Sequence, residues 1–168
     1  LNVYKGSPAQ KAGLQPGDYI LSIGGQSLRN ADQLTQVVGN LPAGKDYELK
    51  LLRGGSPLTL SIRLAIREEE KELAAQNKNL WPGLFVGVLS DELRKELKLA
   101  DQARGPIITA VWENSPAAVA GLKQGDVVLK VNDTEVLTVF AFYQELNAAK
   151  KDVMLRLLAA NGRPVERL

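Results

Sequence analysis

A stretch of 19 residues occurs twice in this chain, and this repeat constrains the fold more than any other feature of the sequence. Residues 3–21, VYKGSPAQKAGLQPGDYIL, align without a gap on residues 111–129, VWENSPAAVAGLKQGDVVL, at an offset of 108 residues (111 − 3), with ten identities. After a two-residue deletion the match resumes, with residues 46–52 on residues 152–158. Solenoid repeats are about 20 to 50 residues long, so an offset of this size predicts two copies of a domain.

Each copy carries the start and stop signals of a short helix. Ser7 and Ser115 are suited to cap its N-terminus, and each is followed by Pro, which is tolerated at the first helical position. Gly13 and Gly121 suit the left-handed residue that ends such a helix. The Ser-Pro and Gly positions are therefore interpreted as residues that build the fold.

Strands and a longer helix are predicted after this helix in both copies. Runs rich in β-forming residues predict strands at 19–23 and 47–52, and at 127–131 and 153–158. Between the strands of each copy, apolar residues at helical spacing predict an amphipathic helix, at about 30–38 and 138–149. The expected fold class is α+β and strand-rich.

The composition excludes several kinds of active site. The chain has no Cys and no His, which rules out thiolate nucleophiles, Cys/His zinc sites and Ser-His-Asp triads. We therefore expect no catalytic centre, no metal and no cofactor. The 21 basic and 19 acidic residues are interspersed, so no basic stripe predicts a nucleic-acid partner. No apolar run approaches the roughly 20 residues that span a bilayer, so we expect no direct membrane insertion.

The doubled string Ser-Pro-Ala-x-x-Ala-Gly-Leu-x-x-Gly-Asp-x-[Ile/Val]-Leu closely resembles the central signature of bacterial PDZ domains. In tandem, the two copies resemble the C-terminal half of the HtrA/Do-like (Deg) periplasmic serine endoproteases. This resemblance implies two PDZ-like, partly open β-barrels or sandwiches, each capped by two helices. It also implies a periplasmic or cell-envelope location, with a trypsin-like protease domain upstream in the parent protein.

The resemblance also predicts the domain boundaries. The first PDZ domain is expected at residues 1–66, a charged linker at 67–81 and the second PDZ domain at 82–168. Position 1 corresponds to about position 109 of the second copy, so the first domain is expected to lack its N-terminal strand. The second copy is expected to be complete, with a helix-like segment at 90–99.

PDZ domains bind an extended peptide as an added strand at a sheet edge, beside a helix. By resemblance, the amides that bind the peptide's carboxylate are expected at Leu84, Phe85, Val86 and Gly87, and the receiving strand is expected to begin at Val88 and Leu89. The facing helix is expected to line the groove with Val139, Tyr143 and Leu146, with Phe142 turned toward the core.

The expected partners are unfolded or C-terminal peptide segments of other proteins, and sister domains or subunits of an oligomeric protease. Two alternatives remain open at this point. The PDZ copies could serve as a scaffold for oligomer assembly, or they could be the PDZ region of a site-2 intramembrane protease. An enzyme acting through this chain alone is the weakest interpretation, because no Asp or Glu pair has nucleophile or metal spacing.

Overall fold

A computed structural model describes residues 2–66, 77–99, 103–149, 152–160 and 163–167. Within these ranges the chain divides into two units, residues 3–66 and 77–167. Most of the proposed linker, residues 67–76, lies outside the described residues. No helix in the described ranges is long and apolar enough to cross a membrane.

The first unit is a four-stranded antiparallel sheet with two helices. Its elements are β1 (Val3–Tyr4), α1 (Pro8–Lys11), β2 (Tyr19–Ile23), β3 (Gln26–Ser27), α2 (Ala31–Asn40), β4 (Asp46–Arg53) and β5 (Ser56–Arg63). The order in the sheet is β3-β2-β4-β5. Alternate residues of β4 point inward, and Leu49 and Leu51 are almost fully buried in the core.

The second unit is built on a longer sheet. Its elements are a 3-10 turn (Asn77–Asn79), β6 (Leu80–Trp81), β7 (Leu84–Gly87), α3 (Asp91–Glu96), β8 (Ile107–Val111), α4 (Pro116–Val119), β9 (Val127–Val131), β10 (Thr134–Glu135), α5 (Val139–Ala148), β11 (Leu155–Leu158) and β12 (Pro164–Arg167). The strands run in the order β12-β11-β9-β8-β7, and β10 pairs with β9. The prediction of a strand-rich α+β fold is confirmed. In its described residues the second unit also has α3, which lies within the segment at 90–99 that was expected to be helix-like.

The helices begin where the sequence places their caps. The hydroxyls of Ser7 and Ser115 each accept the backbone N–H three residues on, at 3.2 Å in both copies. The caps of the longer helices work in the same way, with Asn30 Oδ1 at 2.8 Å from the amide nitrogen of Gln33. Thr138 caps α5, whose first residue is the groove position Val139.

The core of the second unit lies between the sheet and α5. Phe142 has no exposed surface, as its predicted inward orientation requires. It packs with residues from β7, β8, β9 and β11, all of them apolar: Leu84, Ile108, Val128, Val131, Leu155 and Leu157. Because α5 and β7 share this core, the helix and the edge of the sheet face one another at the predicted groove.

Candidate functional site

Strand β7 is the last strand of its sheet. On one side it pairs antiparallel with β8, from Leu84 opposite Val111 to Gly87 opposite Ile107, with a register shift between Phe85 and Val86. On its other side, no strand from the described part of the chain pairs with it. An edge strand keeps main-chain groups available for another chain, so β7 is the candidate receiving strand.

The four residues expected to form a carboxylate-binding loop are therefore in a strand. These residues, Leu84 to Gly87, make up the whole of β7, so the expected loop is wrong. The physical reason is their pairing with β8, which holds this apolar run extended. The sharp change of direction lies just before it, at Gly83, where φ is +80°. That the amides of Leu84 to Gly87 bind a carboxylate stays a prediction.

Gly83 is held by the N-terminal cap of α4. The Ser115 hydroxyl donates to the Gly83 carbonyl at 3.1 Å, and the Trp112 N–H donates to the same oxygen at 2.9 Å. A Cβ at Gly83 would lie 2.2 Å from Ser115 Cβ, so only glycine fits this left-handed position. Ser115 is fully buried and thus joins the repeated Ser-Pro signature to the turn that leads into β7.

Val88 and Leu89 follow β7 and lie outside it. Val88 is 78% exposed, and Leu89 packs against a small separate cluster formed by Leu99, Ala103, Ile107 and Val127. The expectation that these two residues lie in a strand is wrong, and their role in peptide binding stays a prediction. The strand ends at Gly87 because the chain turns there toward the N-cap of α3 at Ser90.

The three predicted groove residues of the helix all lie on α5. Tyr143 and Leu146 are buried, Val139 is half-buried, and all three belong to or pack against the core that contains Leu84. Side chains of β7 and α5 thus belong to one apolar cluster. Their role in peptide binding stays a prediction.

A polar contact joins β7 to α5. The backbone N–H of Val86 donates to the Tyr143 hydroxyl. Burial raises the pKa of Tyr143 above its ordinary value of 10.0, and the Val86 N–H acts in the opposite direction because it stabilises the phenolate. Val86 of β7 and Tyr143 of α5 are thus joined by a polar interaction as well as by the shared apolar core.

Sequence reasoning missed the roles of Gly83 and Ser115 in this site. The tripeptide Trp81-Pro82-Gly83 is a recognisable turn signal and could have moved the predicted loop upstream. Nothing local indicates that Ser115 reaches Gly83, since the two are 32 residues apart. In the described ranges, no group of three or more Asp and Glu side chains is arranged to hold a metal ion.

Comparisons with known proteins agree with this architecture. The PDZ domain family matches residues 1–53 and 107–157, more than half of the chain. A probable periplasmic serine endoprotease, DegP-like, of Chlamydia trachomatis serovar D is 31% identical over 158 residues, which cover 94% of this chain and 31% of the relative. The periplasmic pH-dependent serine endoprotease DegQ of Escherichia coli K12 is 31% identical over 159 residues, 95% of this chain and 33% of that protein.

The solved structure of the HtrA-type protease AlgW with decapeptide has a TM-score of 0.45 to this chain at 21% identity, over 73% of this chain and 46% of that one. The chain spans about a third of the length of the two curated relatives. The two segments matched by the family each contain one copy of the repeated signature. The chain therefore belongs to the PDZ domain family and carries two copies of that domain.

Proposed function

We propose that the second unit binds an extended polypeptide segment as an added strand on β7, between this strand and α5. The observation that carries the proposal is the position of β7 at the end of its sheet, where β8 is its only strand partner among the described residues. The Val86 N–H interacts with Tyr143 of α5, on the side where a guest strand would lie. A guest strand would accept this bond through its own carbonyl once the hydroxyl moved aside. Main-chain bonds of this kind supply affinity without reading the guest's sequence.

The side chains around this edge define the class of guest. The nine proposed site residues from Leu84 to Leu146 carry no charge. Alternate side chains of an added strand would face the half-buried Val86 and Val139, which pack against the apolar core, so apolar groups are favoured there. We therefore propose guests with apolar side chains, including C-terminal segments whose carboxylate would lie near the turn at Gly83. A single module of this type binds at about micromolar Kd, or roughly 8 kcal/mol.

We propose further that the chain is a non-catalytic, peptide-binding region of an HtrA-like serine endoprotease in the periplasm. Two observations support this: the curated relatives are named periplasmic serine endoproteases, and the chain has no His or Cys. The purified chain is expected to leave casein intact. Hydrolysis that co-purifies with the chain and is blocked by a serine-protease inhibitor would contradict the proposal.

Two PDZ units on one chain would also raise the apparent affinity for an unfolded client. Once one unit binds a segment, the second unit meets other segments of the same client at a high effective concentration. The first unit presents a smaller and more polar helix face, with Ala31 and Thr35 exposed and Val38 half-buried. We therefore assign the tighter binding to the second unit.

Binding is tested by fluorescence anisotropy with labelled peptides that end in apolar residues. The site is tested with Val139→Arg, which places a charge at the groove, and with Phe140→Arg as the matched control. Phe140 is the next residue on α5 and is 54% exposed. Val139→Arg is expected to abolish saturable binding, while Phe140→Arg keeps it. Equal loss in both variants, or no saturable binding by the unmodified chain, would refute the groove assignment.

A further inference from the structure

A buried carboxylate in the first unit holds a guanidinium group. Arg53 Nε lies 2.8 Å from Asp18 Oδ1, and Arg53 Nη2 lies 2.7 Å from Asp18 Oδ2. The same Nη2 donates to the Gly13 carbonyl at 2.7 Å. The Asp18 side chain is 1% exposed and that of Arg53 is 33% exposed. The pair is bidentate, which is the strongest arrangement for Arg and a carboxylate.

The second unit repeats the acceptors of this pair but not the Arg. Asp18 and Gly13 correspond to Asp126 and Gly121, and Arg53 corresponds to Ala159. Asp126 is 6% exposed, and its Oδ2 accepts the Lys123 N–H at 3.0 Å, just as Asp18 accepts the N–H of Gln15. Its Oδ1 accepts the Ala160 N–H at 3.2 Å, where Asp18 has the guanidinium, and no other donor to it is found among the described residues.

A cavity lies where the Arg53 side chain would be. Its volume is about 300 Å³, and its lining includes Asp126, Gly121, Ala159 and Ala160 together with two cationic residues, Lys123 and Arg167. Arg167 lies over Gly121, with its Cζ 3.6 Å from the position of a Cβ there, and is exposed. Among the residues that the structure describes, no cationic side chain forms an ion pair with Asp126.

We propose that this Asp126 cavity is a second binding site of the chain, which takes the guanidinium of an arginine side chain on a partner polypeptide. The sister copy provides the geometric precedent, because equivalent atoms bind a guanidinium there. A buried carboxylate without a counter-charge is stabilised by a cation, and the planar fork of Arg can reach both Asp126 and the Gly121 carbonyl. Lysine has a single point of charge and would satisfy fewer of these acceptors. This site is separate from the groove and does not depend on the proposed peptide binding.

The experiment is a titration of the 15N-labelled chain with N-acetyl-arginine methylamide, followed by NMR. The amides of Lys123 and Ala160 donate to Asp126, so they are expected to shift saturably, with Kd on the order of 1 mM for one charge-assisted contact. N-acetyl-lysine methylamide, the comparison probe, is expected to bind roughly tenfold more weakly. Binding equal to that of the arginine probe would overturn the assignment to guanidinium.

Three variants locate the site. Asp126→Asn removes the charge without changing the shape, and Ala159→Arg supplies the missing side chain from the chain itself, so both are expected to abolish the titration. Arg53→Ala opens the equivalent position of the first unit and is expected to create new saturable shifts at Gln15. Unchanged titration in Asp126→Asn or Ala159→Arg would refute the proposal. Binding that appears only in Arg167→Ala would also refute it, because Arg167 would then be the natural occupant.

Discussion

The contact between Tyr143 and Val86 predicts that removing one hydroxyl strengthens peptide binding. In the free protein the Val86 N–H donates to the Tyr143 hydroxyl, and an added strand has to displace this bond before its own carbonyl can accept it. Tyr143→Phe deletes the competing acceptor and keeps the buried ring. A neutral hydrogen bond contributes about 0.5–1.5 kcal/mol net, and 1.4 kcal/mol corresponds to a factor of ten in Kd. Peptide affinity is therefore expected to rise about 2- to 10-fold.

The assay is fluorescence anisotropy with the same labelled peptide used for the unmodified chain. Tyr47→Phe is the matched control, because the Tyr47 hydroxyl donates to the Pro42 carbonyl at 2.9 Å in the first unit, away from β7. It is expected to lose a similar amount of stability without changing the affinity. Equal or weaker binding by Tyr143→Phe would refute this reasoning. Absence of binding by the unmodified chain would instead refute the groove itself.

Three further predictions concern stability. Ser115→Ala removes a helix cap and the donor to Gly83, and is expected to lower the free energy of unfolding by about 1–3 kcal/mol. Ser7→Ala removes only a cap and is expected to cost about 1 kcal/mol. Urea unfolding compares the two variants, and equal losses would contradict the role of Ser115 in the turn. Arg53→Ala leaves the carboxylate of Asp18 buried without its cation, and is expected to cost the first unit about 2–3 kcal/mol after allowance for the exposure of Arg53, measured by the same method. Tyr143 has a raised pKa, so above about pH 10 the unfolded chain releases the phenol proton while the folded chain retains it. The free energy of unfolding is therefore expected to fall as the pH rises past about 10, and to fall less in Tyr143→Phe. Identical pH profiles of the two proteins would contradict the burial of the phenol.

Local patterns predicted the elements of the fold closely. The strands Tyr19–Ile23 and Val127–Val131 occur as the sequence analysis expected, and the caps at Ser7 and Ser115 have the expected donors. These features depend on residues close together in the sequence, so periodicity and capping chemistry predict them well.

The edge of the candidate site was predicted less well, because it depends on residues far apart in the sequence. An apolar run with one glycine, such as Leu84–Gly87, fits both a loop and an edge strand, and pairing with β8 decides between them. Helical spacing placed Tyr143 on the correct face of α5. That its hydroxyl reaches Val86 depends on how α5 packs against the sheet, which no local pattern encodes.

The hydroxyl of Tyr143 also affects how safely the protein is stored at high concentration. An outermost strand with a bare amide is a template on which identical molecules can join into sheets that grow from one molecule to the next. Tyr143 covers the Val86 amide with a group from the same molecule, and a phenol ring is too broad to be extended by a further strand. If β7 receives guest strands as proposed, the hydroxyl that they displace is also expected to limit self-association.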